Sequence, residues 1–324
     1  MTPDVSDTNG MGAKDMVAWQ VPLRAKFRGL TSRDGVLVRG DAGWGEFSPF
    51  WDYDDAEARS WWRAAREAAD TGWPEPVRPS VEVNVTVPAV DPQRAYEMVA
   101  ASGCRTAKVK VAERGQELGE DQARLEAVRD GLGPAGKIRV DANAAWDVDT
   151  AVAALAVLDR AAGGLEYAEQ PVPTVADLAA LRRRTHVLIA ADESIRRSDD
   201  PLAVAAAHAA DVVVVKVQPL GGVRACLDLA ERIGLPVVVS SALESSVGLA
   251  AGLALAAALP DLPYACGLGT ATLLGRDVVA DSLVPVDGRI AVRRPAPVFP
   301  VPEAPSALVG RWNRRVAAVA ELLG

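Results

Sequence analysis

Between residues 81 and 270 the sequence switches period again and again. Eight short β-rich runs, VEVNVTV (81–87), TAKVKVA (106–112), KIRVDAN (137–143), LEYAEQP (165–171), VLIAADES (187–194), DVVVVKVQP (211–219), PVVVSSALES (236–245) and YACGLGT (264–270), are separated by longer helical stretches such as DPQRAYEMVAAS, GQELGEDQARLEAVRDGL, DVDTAVAALAVLDRA and TVADLAALRRR. Strands spaced by helices form parallel βαβ units. Eight in succession favour a closed α/β barrel over an open sheet. The 324 residues, 49% hydrophobic, are enough to bury such a core.

The flanks have a different rhythm. VPLRAKF, GVLVRG and GWGEFSPF, between Val21 and Phe50, are short strands punctuated by Gly and Asp, which predicts antiparallel hairpins. Residues 55–70 read as a helix with Trp61 and Trp62 near its apolar side. This opening is not repeated, so residues 1–80 are expected to form an α+β capping unit, with 1–15 disordered. Residues 81–285 form the barrel. Residues 286–324, a Pro- and Val-rich return followed by a helix over 306–323, are expected to rejoin the cap.

Charge and cysteine usage narrow the function classes. The net charge is −8, which disfavours nucleic acid as a partner because phosphate binding calls for a basic face. Cys104, Cys226 and Cys266 are far apart and odd in number, a pattern of free thiols rather than a disulfide framework. The polar N-terminus lacks the apolar stretch of a secretory signal. Val247–Leu259 is apolar but too short to span a bilayer and reads as a buried helix. A cytoplasmic enzyme without membrane contact is expected, its oligomeric state left open, a monomer included.

Polar residues recur at the ends of the predicted strands, where barrels of this kind build their sites. Strand two carries Lys108 and Lys110, two apart and so on one face. Asp141, Glu169 and Asp192 end strands three, four and five, and Lys216 ends strand six. Three carboxylates from consecutive strands can converge on a hard cation such as Mg²⁺, which keeps positions open for water or substrate oxygens. Strands two and six oppose each other in an eight-stranded ring, which puts Lys110 and Lys216 on opposite sides of the cavity. That arrangement suits proton abstraction next to a carboxylate. The cation neutralises the developing enediolate, and a lysine serves as base once burial and neighbouring positive charge lower its pKa.

Taken singly, Asp141 and Asp192 also suit helix caps. Ammonium groups inside β-branched runs, and a glutamate ahead of a proline-rich loop, are harder to explain without a site. Arg139, two before Asp141, orients a carboxylate or lysine, or else fills a barrel layer. Asn143 is a supporting or a turn residue. Ser240, Ser241, Gly267 and Gly269 offer a hydroxyl and backbone N–H groups for a second carboxylate, or else form a tight turn. His186 and His208 fall outside the strand ends, and no Ser-His-Asp set, P-loop or dinucleotide motif is present.

In order, KVK (108–110), VDAN (140–143), EQP (169–171), DES (192–194) and VKVQPLGG (215–222) resemble the muconate-lactonizing subgroup of the enolase superfamily. The resemblance spans about residues 20–295. It implies an α+β cap over a (β/α)₇β TIM-like barrel and one catalytic Mg²⁺, or Mn²⁺ in its place, held by Asp141, Glu169 and Asp192. SSALESSVGLAAGLALAAALP (240–260) and GLGT (267–270) are similar to members that dehydrate a hydroxylated cyclohexadiene carboxylate with a succinyl chain, on the menaquinone pathway. On that basis Lys110 removes the α-proton and assists loss of hydroxide from the same face. Lys216 stabilises the enediolate, Lys108 tunes Lys110, and the segment 25–35 closes over a small-molecule carboxylate. The same scaffold supports racemisation of N-acylamino acids, with Lys110 and Lys216 as a pair of bases. The strand-eight DxD with which dipeptide epimerases hold an ammonium is absent.

Overall fold

A computed structural model describes residues 16–323; the expectation of disorder over 1–15 lies outside the described residues. Three strands, β1 (Met16–Phe27), β2 (Leu30–Gly40) and β3 (Gly43–Phe47), form an antiparallel meander, followed by helix α1 (Asp55–Arg66) and a further helical turn to Thr71. Asp54 starts α1 in a capping box with Glu57, which satisfies N–H groups that a helix start leaves free. Trp61 and Trp62 are buried beneath β3, with Phe47 edge-on to Trp62.

After β4 (Ser80–Glu82), which lies outside the parallel sheet, the barrel strands are β5 (Val85–Val87), β6 (Thr106–Lys110), β7 (Lys137–Asp141), β8 (Leu165–Glu169), β9 (Ile189–Ala191), β10 (Val212–Val215) and β11 (Val237–Val239). β5 to β11 form one parallel sheet in sequence order, as right-handed βαβ connections produce. The intervening helices are α2 (Pro92–Ser102), α3 (Leu118–Leu132), α4 (Val148–Ala162), α5 (Val175–Arg182), α6 (Glu193–Arg196), α7 (Ala203–Ala206) and α8 (Val223–Ile233), and α9 (Ser246–Ala258) follows β11. α9 is buried nearly all round, which explains its lack of a polar face.

The expected eighth strand shrinks to two residues, which still close the ring. Cys266 exchanges backbone hydrogen bonds with Glu82 and Asn84, and Gly267 with Val239 and Ser241. A Cβ at Gly267 would stand 2.4 Å from Ser240 Oγ, so any larger residue there would have to push the serine side chain aside. Gly269 then opens a 3₁₀ turn in place of more strand. Strands five to seven are also shorter than expected; their polar C-terminal residues leave the ladder and turn over the barrel mouth.

β12 (Arg289–Ala291) pairs antiparallel with β4, and α10 (Ser306–Glu321) packs on α1 and β1. Trp312 of α10 and Trp51 both donate to Asp34 Oδ1, at 2.9 and 3.1 Å, tying the C-terminal helix to β2.

Candidate active site

Strand register sets the site. Lys110 pairs with Asp141 across β6 and β7, and Asp141 with Glu169 across β7 and β8, so the three lie at one level. Asp192 follows β9 directly and Lys216 follows β10. The side-chain period of two that places Lys108 and Lys110 on one face brings both to Asp141, at 3.5 and 2.5 Å.

The cations run along the row of carboxylates. Lys108 Nζ donates to both oxygens of Glu169 at 3.0 Å. Lys110 Nζ donates to Asp141 Oδ2 and Asn143 Oδ1, each at 2.5 Å. At the other end Asp192 accepts from Lys216 at 2.6 Å and from Arg196 Nε at 3.0 Å. Gln170 holds the backbone between, its Oε1 accepting from the N–H groups of Asp192 and Ser194 at 2.9 and 3.1 Å.

Burial and charge compete at each group. Burial opposes ionisation of Asp141, but Lys110 and Lys108 outweigh it and hold the carboxyl down at about 2. Asp192 is likewise held below the carboxylate range, Arg196 and Lys216 overcoming burial. Glu169 goes the other way, pushed up to about 7 by burial and the adjacent Asp141 charge. Burial disfavours the Lys108 ammonium, yet Glu169 and Asp141 raise its pKa above the ordinary range, so it is a fixed cation. Burial lowers Lys216 against the pull of Asp192.

The donors suit a hard divalent cation: three buried carboxylates from neighbouring strands, all oxygen ligands. Among the described residues no three His, Cys, Asp or Glu side chains are already set around one metal position. Each carboxylate is turned to an ammonium or guanidinium instead. The expected convergence is therefore one of strand level, with the oxygens directed to lysines.

A narrow cleft with a cavity of about 40 Å³ lies above this row. Lys108, Lys110, Asp141 and Lys216 line it, as do Ser240, Ser241 and Gly267. Ser241 Oγ and Thr270 Oγ1 are 2.6 Å apart, a hydroxyl pair at the far wall. Arg139 is not at the cleft, which corrects its place among substrate-binding candidates. It is fully buried one layer down, stacked on Tyr167 and Tyr264, bonded to Glu166 and donating to Ala265 O at 2.7 Å. Two residues along a strand is one barrel layer, so the inward direction was right and the depth wrong. His186 and His208 are exposed and outside the cleft.

Phe27 and Arg28, at the β1–β2 turn, fall within the segment 25–35 expected to close over the substrate and do line the cleft, whereas sequence reasoning missed the other cleft residues of the cap, Phe50, Tyr53 and Trp61. It also missed Arg196, which bonds Asp192, Glu193 and the Tyr53 hydroxyl together. Its spacing of four from Asp192, on the turn after strand five, was the one available signal.

A capped (β/α) barrel with this row of carboxylates and lysines at its mouth defines an enzyme of the enolase superfamily. Residues 92–303 match the family described as enolase C-terminal domain-like, and residues 18–69 the enolase N-terminal domain-like family. The chain is 65% identical to an o-succinylbenzoate synthase of Thermobifida fusca over 86% of this chain and 87% of that protein. It is 52% identical to one of Mycolicibacterium smegmatis over 95% of each. The chain belongs to the o-succinylbenzoate synthase family, whose members are lyases. Among solved structures, the muconate lactonizing enzyme of Pseudomonas putida aligns with a TM-score of 0.73 at 22% identity, over 93% of this chain and 98% of that one. The L-Ala-D/L-Glu epimerase of Bacillus subtilis aligns with the same TM-score at 23% identity, over 90% and 98%. These last two show the fold. Enzymes of this superfamily generally use a divalent metal.

Proposed function

We propose that the mouth of the barrel carries out a syn-dehydration of 2-succinyl-6-hydroxy-2,4-cyclohexadiene-1-carboxylate to 2-succinylbenzoate, with Asp141, Glu169 and Asp192 as ligands of one Mg²⁺, or Mn²⁺ in its place. The observation that carries this reading is the single row Lys110–Asp141–Glu169–Asp192–Lys216, with both terminal lysines on one cleft. When bound, the cation supplies charge neutralisation for the substrate carboxylate as it becomes an enediolate.

The rest is done by side chains. Neutral Lys110 takes the proton from the carbon next to the ring carboxylate, and the C–H electrons pass into the enediolate. The same ammonium then gives that proton to the departing hydroxyl as the C–O bond breaks, releasing water and leaving the ring aromatic. Lys216, across the cleft, stabilises the enediolate through its charge. Lys108, a fixed cation between Glu169 and Asp141, shares Asp141 Oδ2 with Lys110 and so helps hold the carboxylate beside the base. Asn143, hydrogen-bonded to Lys110, aims its amine. Ser241, Thr270 and the backbone around Gly267 supply donors for the second carboxylate, and Phe27 and Arg28 cover it from the cap. The product feeds menaquinone biosynthesis. The three cysteines are free and buried, in keeping with work in a reducing cytoplasm. Among the described residues no helix is long and apolar enough to cross a membrane.

A second reading is favoured by the same pair of lysines. Two amines on one cleft also suit racemisation of an N-acylamino acid, one base on each face. Assaying the purified protein with Mg²⁺ on both substrates decides: dehydration supports the first reading, and racemisation without dehydration overturns it. Chelation abolishes turnover and added Mg²⁺ restores it; activity that survives chelation contradicts the metal assignment.

A further inference from the structure

The segment Ser240–Leu243, between β11 and α9, walls one side of the cleft. It is held from outside the barrel. Leu243 has φ +63°, in the left-handed region that side chains other than glycine rarely adopt, so its neighbours must fix it. Its carbonyl accepts from Arg33 Nε at 3.0 Å, and Arg33 also donates to the carbonyls of Asp34 and Ser48, all in the cap.

Glu46, on β3 of the cap, makes the second attachment. Its carboxyl accepts from the N–H groups of Ser245 and Gly248, each at 3.2 Å, from the Ser245 hydroxyl, and from Ser48 Oγ at 2.7 Å. Those two N–H groups belong to the first turn of α9 and its cap, where a helix leaves donors unpaired and favours an acidic partner. There is no slack: a Cβ at Gly248 would stand 2.9 Å from Glu46 Cδ and 2.6 Å from Gln218 Nε2. Glu46 is buried and does not reach the cleft. Its bonds link two residues some 200 positions apart that share no strand or helix.

We propose that Glu46 is a positioning residue for the substrate: from the cap it pins the start of α9 and, with Arg33, sets the Ser240–Leu243 wall against which the part of the substrate remote from the reacting carbon packs. This rests on the cleft being the dehydration site. The charged groups at the chemical step sit on β6 to β10 and do not contact Glu46, so its loss acts on binding more than on turnover.

The test combines steady-state kinetics in Mg²⁺ with hydrogen–deuterium exchange on the wild type, Glu46→Ala, Glu46→Gln and Gly248→Ala. Glu46→Ala raises KM about tenfold, the scale of one charge-assisted hydrogen bond, while kcat stays within about threefold. Glu46→Gln, which keeps one acceptor, lies between. Amides of residues 240–248 exchange faster in these variants and those of β6 to β9 do not. Gly248→Ala displaces the Glu46 carboxyl and gives the same pattern, so the proposal stays testable if Glu46→Ala does not fold. An unchanged KM in folded variants, or a fall in kcat at constant KM, overturns it. If the wild type performs no dehydration, the functional reading fails, and the exchange data still decide whether Glu46 holds the wall.

Discussion

The Lys108 ammonium lies 3.0 Å from both carboxylate oxygens of Glu169, at the edge of the cleft that Lys108 helps to line. Both partners are buried, so each satisfies a charge the other cannot give to water. Lys108→Met leaves Glu169 crowded against Asp141 without its ammonium partner, while Asp141 keeps Lys110. The expected loss is about 3–5 kcal/mol of stability without metal, as for breaking a buried pair. Urea unfolding checks it, and Mg²⁺ recovers part of the loss by restoring positive charge.

Lys110 is placed to move the proton. Lys110→Ala is expected to lower kcat by about 10²–10⁴, the range of general-base contributions. Circular dichroism on the same sample shows an unchanged fold, because this side chain reaches the cleft rather than the core. Activity within tenfold of wild type contradicts its role as base.

Arg139 gives the opposite result. Its guanidinium lies over Tyr167 and Tyr264 and is bonded to Glu166, outside the cleft. Arg139→Met lowers the melting temperature, and the protein that stays folded keeps its KM. A selective rise in KM at unchanged stability shows that it reaches the substrate.

Stability also depends on pH through Glu46. Burial pushes this carboxyl up to about 7, with Ser245 and Ser48 opposing. The fold therefore prefers its protonated form more than the unfolded chain does. The stabilisation this gives is full below the ordinary glutamate range, near 4.5, and is lost as pH rises through about 7. The stability of wild type minus that of Glu46→Gln, measured by urea unfolding, declines across that window and is flat above it. A flat difference throughout shows that folding does not shift the Glu46 pKa.

The identity of the barrel and the order of charges at its mouth were legible in the sequence, for a local reason. Side chains on a strand alternate faces, so a lysine or carboxylate inside a β-branched run, at the end followed by a helix, points inward at the mouth whatever the rest of the chain does. Lys108, Lys110, Asp141, Glu169, Asp192 and Lys216 all stand out on that pattern. Depth was less legible. Arg139 and Asp141 share a face but not a layer, and only the packed tyrosines reveal which one meets the cleft.

Tertiary structure alone decided where the cap touches the barrel. Arg33 finds Leu243 and Glu46 finds Ser245, across some 200 residues, because α9 happens to point its first turn at β3. No periodicity encodes such a contact; it follows from how two separately patterned units pack. Strand length was decided there as well. The predicted runs carried the right residues, but while Lys110, Asp141 and Glu169 stay in the ladder, Asp192 and Lys216 lie just past the ends of β9 and β10, where their ionic partners hold them.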